Sequence, residues 1–345
     1  MTLAFPYRFA LDIFGEDGTN LGTVAAKRDW EPAHEWTRFY FQRRGQLSLD
    51  SNGGASTVLP LWEHTLGEPY CRGYRVQIET PNGRSVESDF PNTHFRDFAA
   101  AIASRFVAQK KLREGEFYTY MVVAHPAPPV TQTIGGLSVA DASPRVPAKD
   151  ASIRDFLARA TPSGVIDIDD MPVFVSRRVL DEAAEQTHAE EGTETGGILI
   201  GVLGRDTIAG EIFAEITAQI PAEHTSGSNV KLTFTPETWA AADAALRLRR
   251  RGEIYLGYWH SHPVRAWCKG KACTLEAQKS CHLAKDFFSA DDEAVMRAAF
   301  PRAYSIAIVA NDTAFTGLTF SMFGNREGTT QPRGFYVLEE KDHGS

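Results

Sequence analysis

The sequence predicts two consecutive α+β units, the second an α/β arrangement in which a mixed sheet is flanked by helices. Three observations lead there. A Pro/Gly-rich stretch from Ala124 to Asp150 carries Pro126, Pro128, Pro129, Pro144, Pro147 and Gly135-Gly136, has no helical or strand periodicity, and reads as a linker. Segments of period-2 apolar alternation occur on both sides of it. Stretches with helix caps and helical apolar spacing lie between those segments. A length of 345 residues fits two domains of ordinary size. The boundaries expected are an N-terminal α+β domain over 1–123, a linker over 124–150, and a second domain over 151–345.

In the first domain Tyr74, Val76 and Ile78 alternate with Arg75, Gln77 and Glu79, which predicts a half-buried strand. Pro81-Asn82-Gly83 supplies hairpin turn chemistry. Thr93 can cap a helix whose Phe95, Phe98, Ile102 and Phe106 share one face. Phe117 to Val123 is a further strand. The apolar stripe reads as core, and His34, His64 and His94 are scattered as structural or surface residues.

The second domain is better punctuated. Ser176 can cap a helix running towards His188. Ile198 to Leu203 is a short apolar strand. Ile212, Ala214, Ile216, Ala218 and Ile220 form a period-2 strand. Thr235-Pro236-Glu237 is a cap, a first-position proline and an acidic first turn, opening a helix that stops at Gly252 after Arg249-Arg250-Arg251. Ile254 to His262 is the next strand, Ser289 starts a helix through Ala299, and Tyr304 to Ala310 and Phe315 to Phe323 are strands.

Composition narrows the function classes. An apolar fraction of 43% and a charged fraction of 23% are those of a soluble globular protein. A net charge of −8 argues against a broad grip on nucleic acid. Met1 to Ile13 lacks a basic stretch followed by an apolar core, and no apolar run reaches membrane-spanning length, so neither secretion nor a membrane partner is expected. Three of the four cysteines crowd into Cys268–Cys281, which speaks against a disulfide scaffold. The expectation is a cytoplasmic protein.

The chemistry-bearing residues fall in three stations. His260 and His262 are two apart on a predicted strand and therefore project to one face, as two metal ligands must. Pro263 holds the strand end extended. Ser289 and Asp292 have the spacing of a helix capping box, which alone says only that a helix starts. Asp292 could also be the third ligand, with Asp291 as its rival, and the Ser289 hydroxyl could donate to a developing oxyanion. Glu194 precedes Gly196-Gly197, where the glycines allow close backbone approach or a bulge, and it could act as general base. Two imidazoles, a carboxylate and a detached glutamate are what a hydrolytic zinc site needs.

The order of these stations resembles the JAMM metalloproteases, the catalytic branch of the JAB/MPN family, whose pattern is a glutamate, then His-x-His-Pro, then Ser-x-x-Asp. It is filled by Glu194, His260, His262, Pro263, Ser289 and Asp292, and Gly257-Tyr258-Trp259 resembles the family's approach to its metal site. The resemblance covers about Met171 to Phe323. It implies a cytidine-deaminase-type mixed sheet and a zinc isopeptidase of deubiquitinase-like type. His260, His262 and Asp292 would hold Zn²⁺, Glu194 would move the proton, and Ser289 would assist at the oxyanion. The implied partners are a ubiquitin-like protein or its conjugates, with E1- and E2-like enzymes beside it in bacterial conjugation systems, some of them antiphage. Two alternatives stay open: release of an amino acid from a sulfur-carrier protein, and a non-catalytic MPN scaffold.

The sequence departs from that family between Pro263 and Phe288, where the family has a much shorter segment. Cys268, Cys273, Cys281 and His282 lie there and could bind a second, structural zinc; the alternative is a lid-like loop with unremarkable thiols. Arg247, Arg249, Arg250 and Arg251 complement a helix C-terminus or form a docking patch for an acidic partner.

Overall fold

The computed structural model describes residues 3–4, 6–27, 29–49, 56–64, 70–80, 83–127, 145–190, 192–222, 234–271, 273–281 and 287–339. The chain divides into two compact units, Met1–Val146 and Pro147–Ser345.

The first unit runs β1 (Leu3–Ala4), β2 (Tyr7–Gly15), β3 (Asn20–Ala25), α1 (Glu31–Arg43), β4 (Ser56–Glu63), β5 (Tyr70–Glu79), β6 (Ser85–Pro91), a 3₁₀ turn (Asn92–Phe95), α2 (Arg96–Ala108) and β7 (Tyr118–Pro126). The strands form a four-stranded sheet, β1-β4-β5-β6, and a three-stranded one, β3-β2-β7. Leu11, Ile13, Tyr74, Val76, Ile78, Phe95 and Ile102 are fully buried in one shared core. The Tyr74–Val76–Ile78 alternation is thus a strand with one face inward. The helix begins later than expected. Thr93 lies inside the 3₁₀ turn, α2 starts at Arg96, and no side chain caps it, because the tight turn already carries the chain into the helix. Thr80 N–H donates to Arg84 C=O at 2.7 Å across the β5–β6 hairpin, whose Pro81 and Asn82 lie outside the described residues.

The second unit runs β8 (Ala148–Asp150), α3 (Ile153–Leu157), β9 (Ala160–Ser163), β10 (Val173–Ser176), α4 (Arg177–Ala189), β11 (Gly196–Asp206), β12 (Glu211–Pro221), α5 (Pro236–Arg249), β13 (Ile254–His262), α6 (Val264–Gly270), α7 (Leu275–Ser280), α8 (Ala290–Ala299), β14 (Ile306–Thr313), β15 (Gly317–Arg326), β16 (Thr329–Arg333) and β17 (Phe335–Leu338). Residues 124–126 and 148–150, which the sequence reading gives to the linker, are therefore strand; 128–144 lie outside the described residues.

Ten of these strands form one mixed sheet in the order β16-β15-β14-β13-β11-β12-β10-β17-β9, with β8 added beside β11. β13 and β14 run parallel, so a crossover is required between them, and α6, α7 and α8 lie in it. Every residue of β14 is buried, and β13 is buried from Leu256 onward, as expected of strands covered on both faces. Ala242 of α5 and Met296 of α8 pack with Ile198, Ile200, Tyr258 and Ala307, fixing those helices over the centre of the sheet. Thr235 caps α5 by accepting from Thr238 N–H, as the sequence predicts. That helix ends at Arg249, short of Gly252, and the capping residue Arg250 adopts the left-handed conformation itself (φ 51°). Among the described residues no helix is long and apolar enough to cross a membrane.

Candidate metal centre

The centre is built at the C-terminal end of β13. Tyr258, His260 and His262 alternate along one face of that strand. Both histidines are buried, and their Nε2 atoms face each other at 3.1 Å. The third member comes from the start of α8, where Asp292 Oδ1 lies 3.4 Å from His260 Nε2. The three ligand atoms fall within 4.8 Å of one another, and no other set of three among the described residues does so.

Asp292 is held by the cap of its own helix. Ser289 N–H and the Ser289 hydroxyl both donate to Asp292 Oδ2, at 2.8 and 2.7 Å, and Asp292 N–H donates back to Ser289 Oγ at 3.1 Å. The capping box and the metal-ligand reading are therefore both satisfied: Oδ2 closes the cap, and Oδ1 faces the histidines. Tyr258 secures the same helix from β13, its hydroxyl donating to the Asp292 carbonyl at 3.1 Å while its ring stacks on His260.

The electrostatics favour neutral rings. Burial pushes the His260 imidazole below its usual range, against the opposing pull of Asp292. Burial, with His260 alongside, pushes His262 down to about 3. The Nδ1 atoms of both rings are buried without a hydrogen-bond partner. With the proton on Nδ1, each ring turns its Nε2 lone pair inward. Two neutral imidazoles and a carboxylate held by its other oxygen form a donor set that fits a zinc ion.

Glu194 lies two residues before β11, the strand beside β13. Gly196 pairs with His260 in the β11–β13 register, and continuing that register sets Glu194 across from His262. The join is fastened on both sides: Thr195 N–H donates to Ser261 Oγ at 3.0 Å, and Ser261 N–H to the Thr195 carbonyl at 2.8 Å. Burial foremost, then the charges of Asp292 and Glu194, raises the Tyr258 phenol, so Glu194 and Asp292 act on one neighbourhood. A Cβ on Gly197 would meet the Trp259 and Gln219 side chains, which hydrogen-bond to each other at 3.2 Å. The bulge falls further along β11, at Leu199–Gly201.

The Pro263–Phe288 segment leans on the centre. Phe287 stacks on His262 with centroids 4.4 Å apart, and the Trp267 indole donates to the Gly192 carbonyl at 3.0 Å, two residues before Glu194. Cys268, Cys273 and Cys281 are reduced; His282 lies outside the described residues. Tyr258, Ser261, Trp267 and Phe287 escape sequence reasoning. Tyr258 alone carried a signal, since it continues the two-residue spacing of the histidines.

Of the arginine cluster, Arg249 is committed to Glu253 through two hydrogen bonds of 2.7 and 2.8 Å, and Arg247 to Asp243 at 3.4 Å.

Residues 176–265 match the family of prokaryotic homologs of the JAB domain. The match lies wholly within the second unit. The matched JAB segment holds Glu194, His260 and His262 and ends before Ser289 and Asp292. The solution structure of protein DSY2949 from Desulfitobacterium hafniense aligns over 50% of this chain and 97% of its own, at 17% identity and a TM-score of 0.36. No curated protein matches the sequence.

Proposed function

We propose that the JAB domain is a zinc-dependent isopeptidase or peptidase that cleaves after the C-terminal tail of a ubiquitin-like protein, in deconjugation or precursor processing within a bacterial conjugation system. The observation that carries this reading is the convergence of His260, His262 and Asp292, with Glu194 two residues before the adjoining strand β11. A scaffold has no need of buried imidazoles aimed at a carboxylate, and such burial is costly to keep unpaired.

In this reading His260, His262 and Asp292 hold the ion. A bound zinc ion would supply Lewis-acid polarisation of the scissile carbonyl and an acidified water. Glu194 takes the proton of the attacking water and returns it to the leaving amine nitrogen. Ser289 keeps Asp292 in place. Its proton goes to Asp292 Oδ2, so donation to a substrate oxyanion requires the hydroxyl to turn. Phe287 and Trp267 wall the approach beside His262.

The test pairs Glu194→Gln with the parent protein on a ubiquitin-like protein extended by a short C-terminal peptide, with and without chelator. The expected result is cleavage by the parent that chelator abolishes, and a loss of about 10²–10⁴-fold in Glu194→Gln with its zinc content unchanged. An active Glu194→Gln protein removes the assigned base, and chelator-resistant cleavage removes the metal.

A further inference from the structure

The Pro263–Phe288 segment poses a folding problem of its own. α6 has seven residues and α7 six, both far below the roughly 12–15 residues at which an isolated helix holds in water. Between Val264 and Cys281 only Val264 and Cys268 are fully buried among the described residues, and Leu275 is exposed, so the segment has almost no apolar core. Its polar ties lead repeatedly to cysteines. Cys273 N–H donates to the Cys268 carbonyl at 3.0 Å, closing the end of α6. The Gln278 amide donates to the Cys273 carbonyl at 3.1 Å, and Cys281 N–H to the Gln278 carbonyl at 3.1 Å, so α7 returns the chain from the second cysteine to the third. Cys273 and Cys281 both lie near enough to the Cys268 thiol to act on it electrostatically. Arg265 on the same stretch is committed to Asp312, and burial, foremost, raises the Cys268 thiol against the opposing pull of Lys271, so proton release accompanies metal binding rather than preceding it.

We propose that Cys268, Cys273 and Cys281 form a second metal site, a three-thiolate zinc site that staples α6 and α7 into the wall beside His262. Binding at a Zn–S distance of about 2.3 Å would bring the three sulfurs together around the ion. Each thiol gives up its proton to solvent on binding, and no electron transfer is involved. The site is independent of the catalytic reading, since its ligands, its chemistry and its consequence for folding are all its own.

Cobalt separates the two sites, because only thiolate ligation gives a near-ultraviolet sulfur-to-cobalt charge-transfer band. The full chain purified without chelator is expected to carry about two zinc ions. Loaded with Co²⁺, the parent and a His260→Ala/His262→Ala protein should both show the band, and Cys273→Ser/Cys281→Ser should lack it while keeping about one zinc ion. These two cysteines are chosen because Cys268 is packed in the interior. Absence of the band in the parent overturns the proposal, as does its persistence in the double cysteine variant. Should that variant fail to fold, thiol counting on the parent decides: three thiols shielded by zinc and released by chelator uphold the site, and three thiols equally reactive in both states, or a disulfide among them, overturn it.

Discussion

Asp292 shows why the second station of the motif was ambiguous in sequence. Ser-x-x-Asp is a helix start wherever it occurs, and its chemistry becomes visible only when Oδ1 is seen facing His260 while Oδ2 stays in the cap. Ser289→Ala is therefore expected to do two things. Loss of the cap costs about 1 kcal/mol of stability. Loss of the hydrogen bond that orients Asp292 lowers zinc affinity about 10–100-fold in chelator competition. Ser289→Thr should restore much of both, and an unchanged affinity in Ser289→Ala would leave Ser289 with the cap alone. A second residue-scale test concerns Glu253, which receives Arg249 and the Thr217 hydroxyl. The Arg249 hydrogen bonds, foremost, hold the Glu253 carboxyl below its ordinary value of 4.5. A depressed carboxyl stabilises the fold above its unfolded value, and that contribution is lost as pH falls through 4.5 towards the folded value. Arg249→Ala should then cost about 1–3 kcal/mol near pH 7, because a buried carboxylate loses its partner. The deficit should shrink on acidification, read as converging thermal midpoints below about pH 4.

At the scale of elements, legibility followed periodicity. Ile254–His262 and the α8 helix were readable to their ends because a strand pattern, a proline and a cap punctuate them. The helices α6 and α7 were not, because each is too short to repeat an apolar spacing. The strand Thr329–Arg333 was hidden likewise, being half-exposed and pairing only with β15. Thr93 misled because it matches a cap in composition while the chain enters α2 through a 3₁₀ turn. The register that sets Gly196 against His260 is also an element property, resting on the irregular β11–β13 pairing around Gly257. There φ is +151°, and a Cβ would stand 1.7 Å from the Ile306 carbonyl oxygen, on a backbone that cannot yield without parting β13 from β14. Gly257→Ala should cost more than about 3 kcal/mol, lowering the thermal midpoint by at least about 6 °C. A midpoint within about 2 °C of the parent would show that the strands can part without penalty.

The whole molecule raises the question of what the first unit contributes, and the start of the second unit decides how to ask it. A cut at Ala151, where composition alone would place it, removes β8. That strand pairs Ala148–Asp150 with Leu203–Arg205, and Lys149 donates to the Arg251 carbonyl at 2.7 Å. Pairing of β13 with β11 stops at Gly201, so β8 covers the edge of β11 just beyond it, and its loss would leave those backbone groups unpaired. The fragment to test is therefore 147–345, which keeps β8, the sheet and all the ligands. It should fold cooperatively and bind zinc as the full chain does. The reading to test is that the first unit recruits the ubiquitin-like substrate or a conjugating enzyme. The fragment should then keep kcat on the peptide-extended ubiquitin-like protein while KM rises, since only binding outside the reacting bond is lost. An unchanged KM would remove recruitment from the first unit. A fall in kcat at unchanged KM would instead point to a part in shaping the centre itself. A fragment beginning at Ala151 serves as the control: if it is less stable than 147–345, the loss belongs to the exposed β11 edge, and any change in its cleavage says nothing about substrate recruitment.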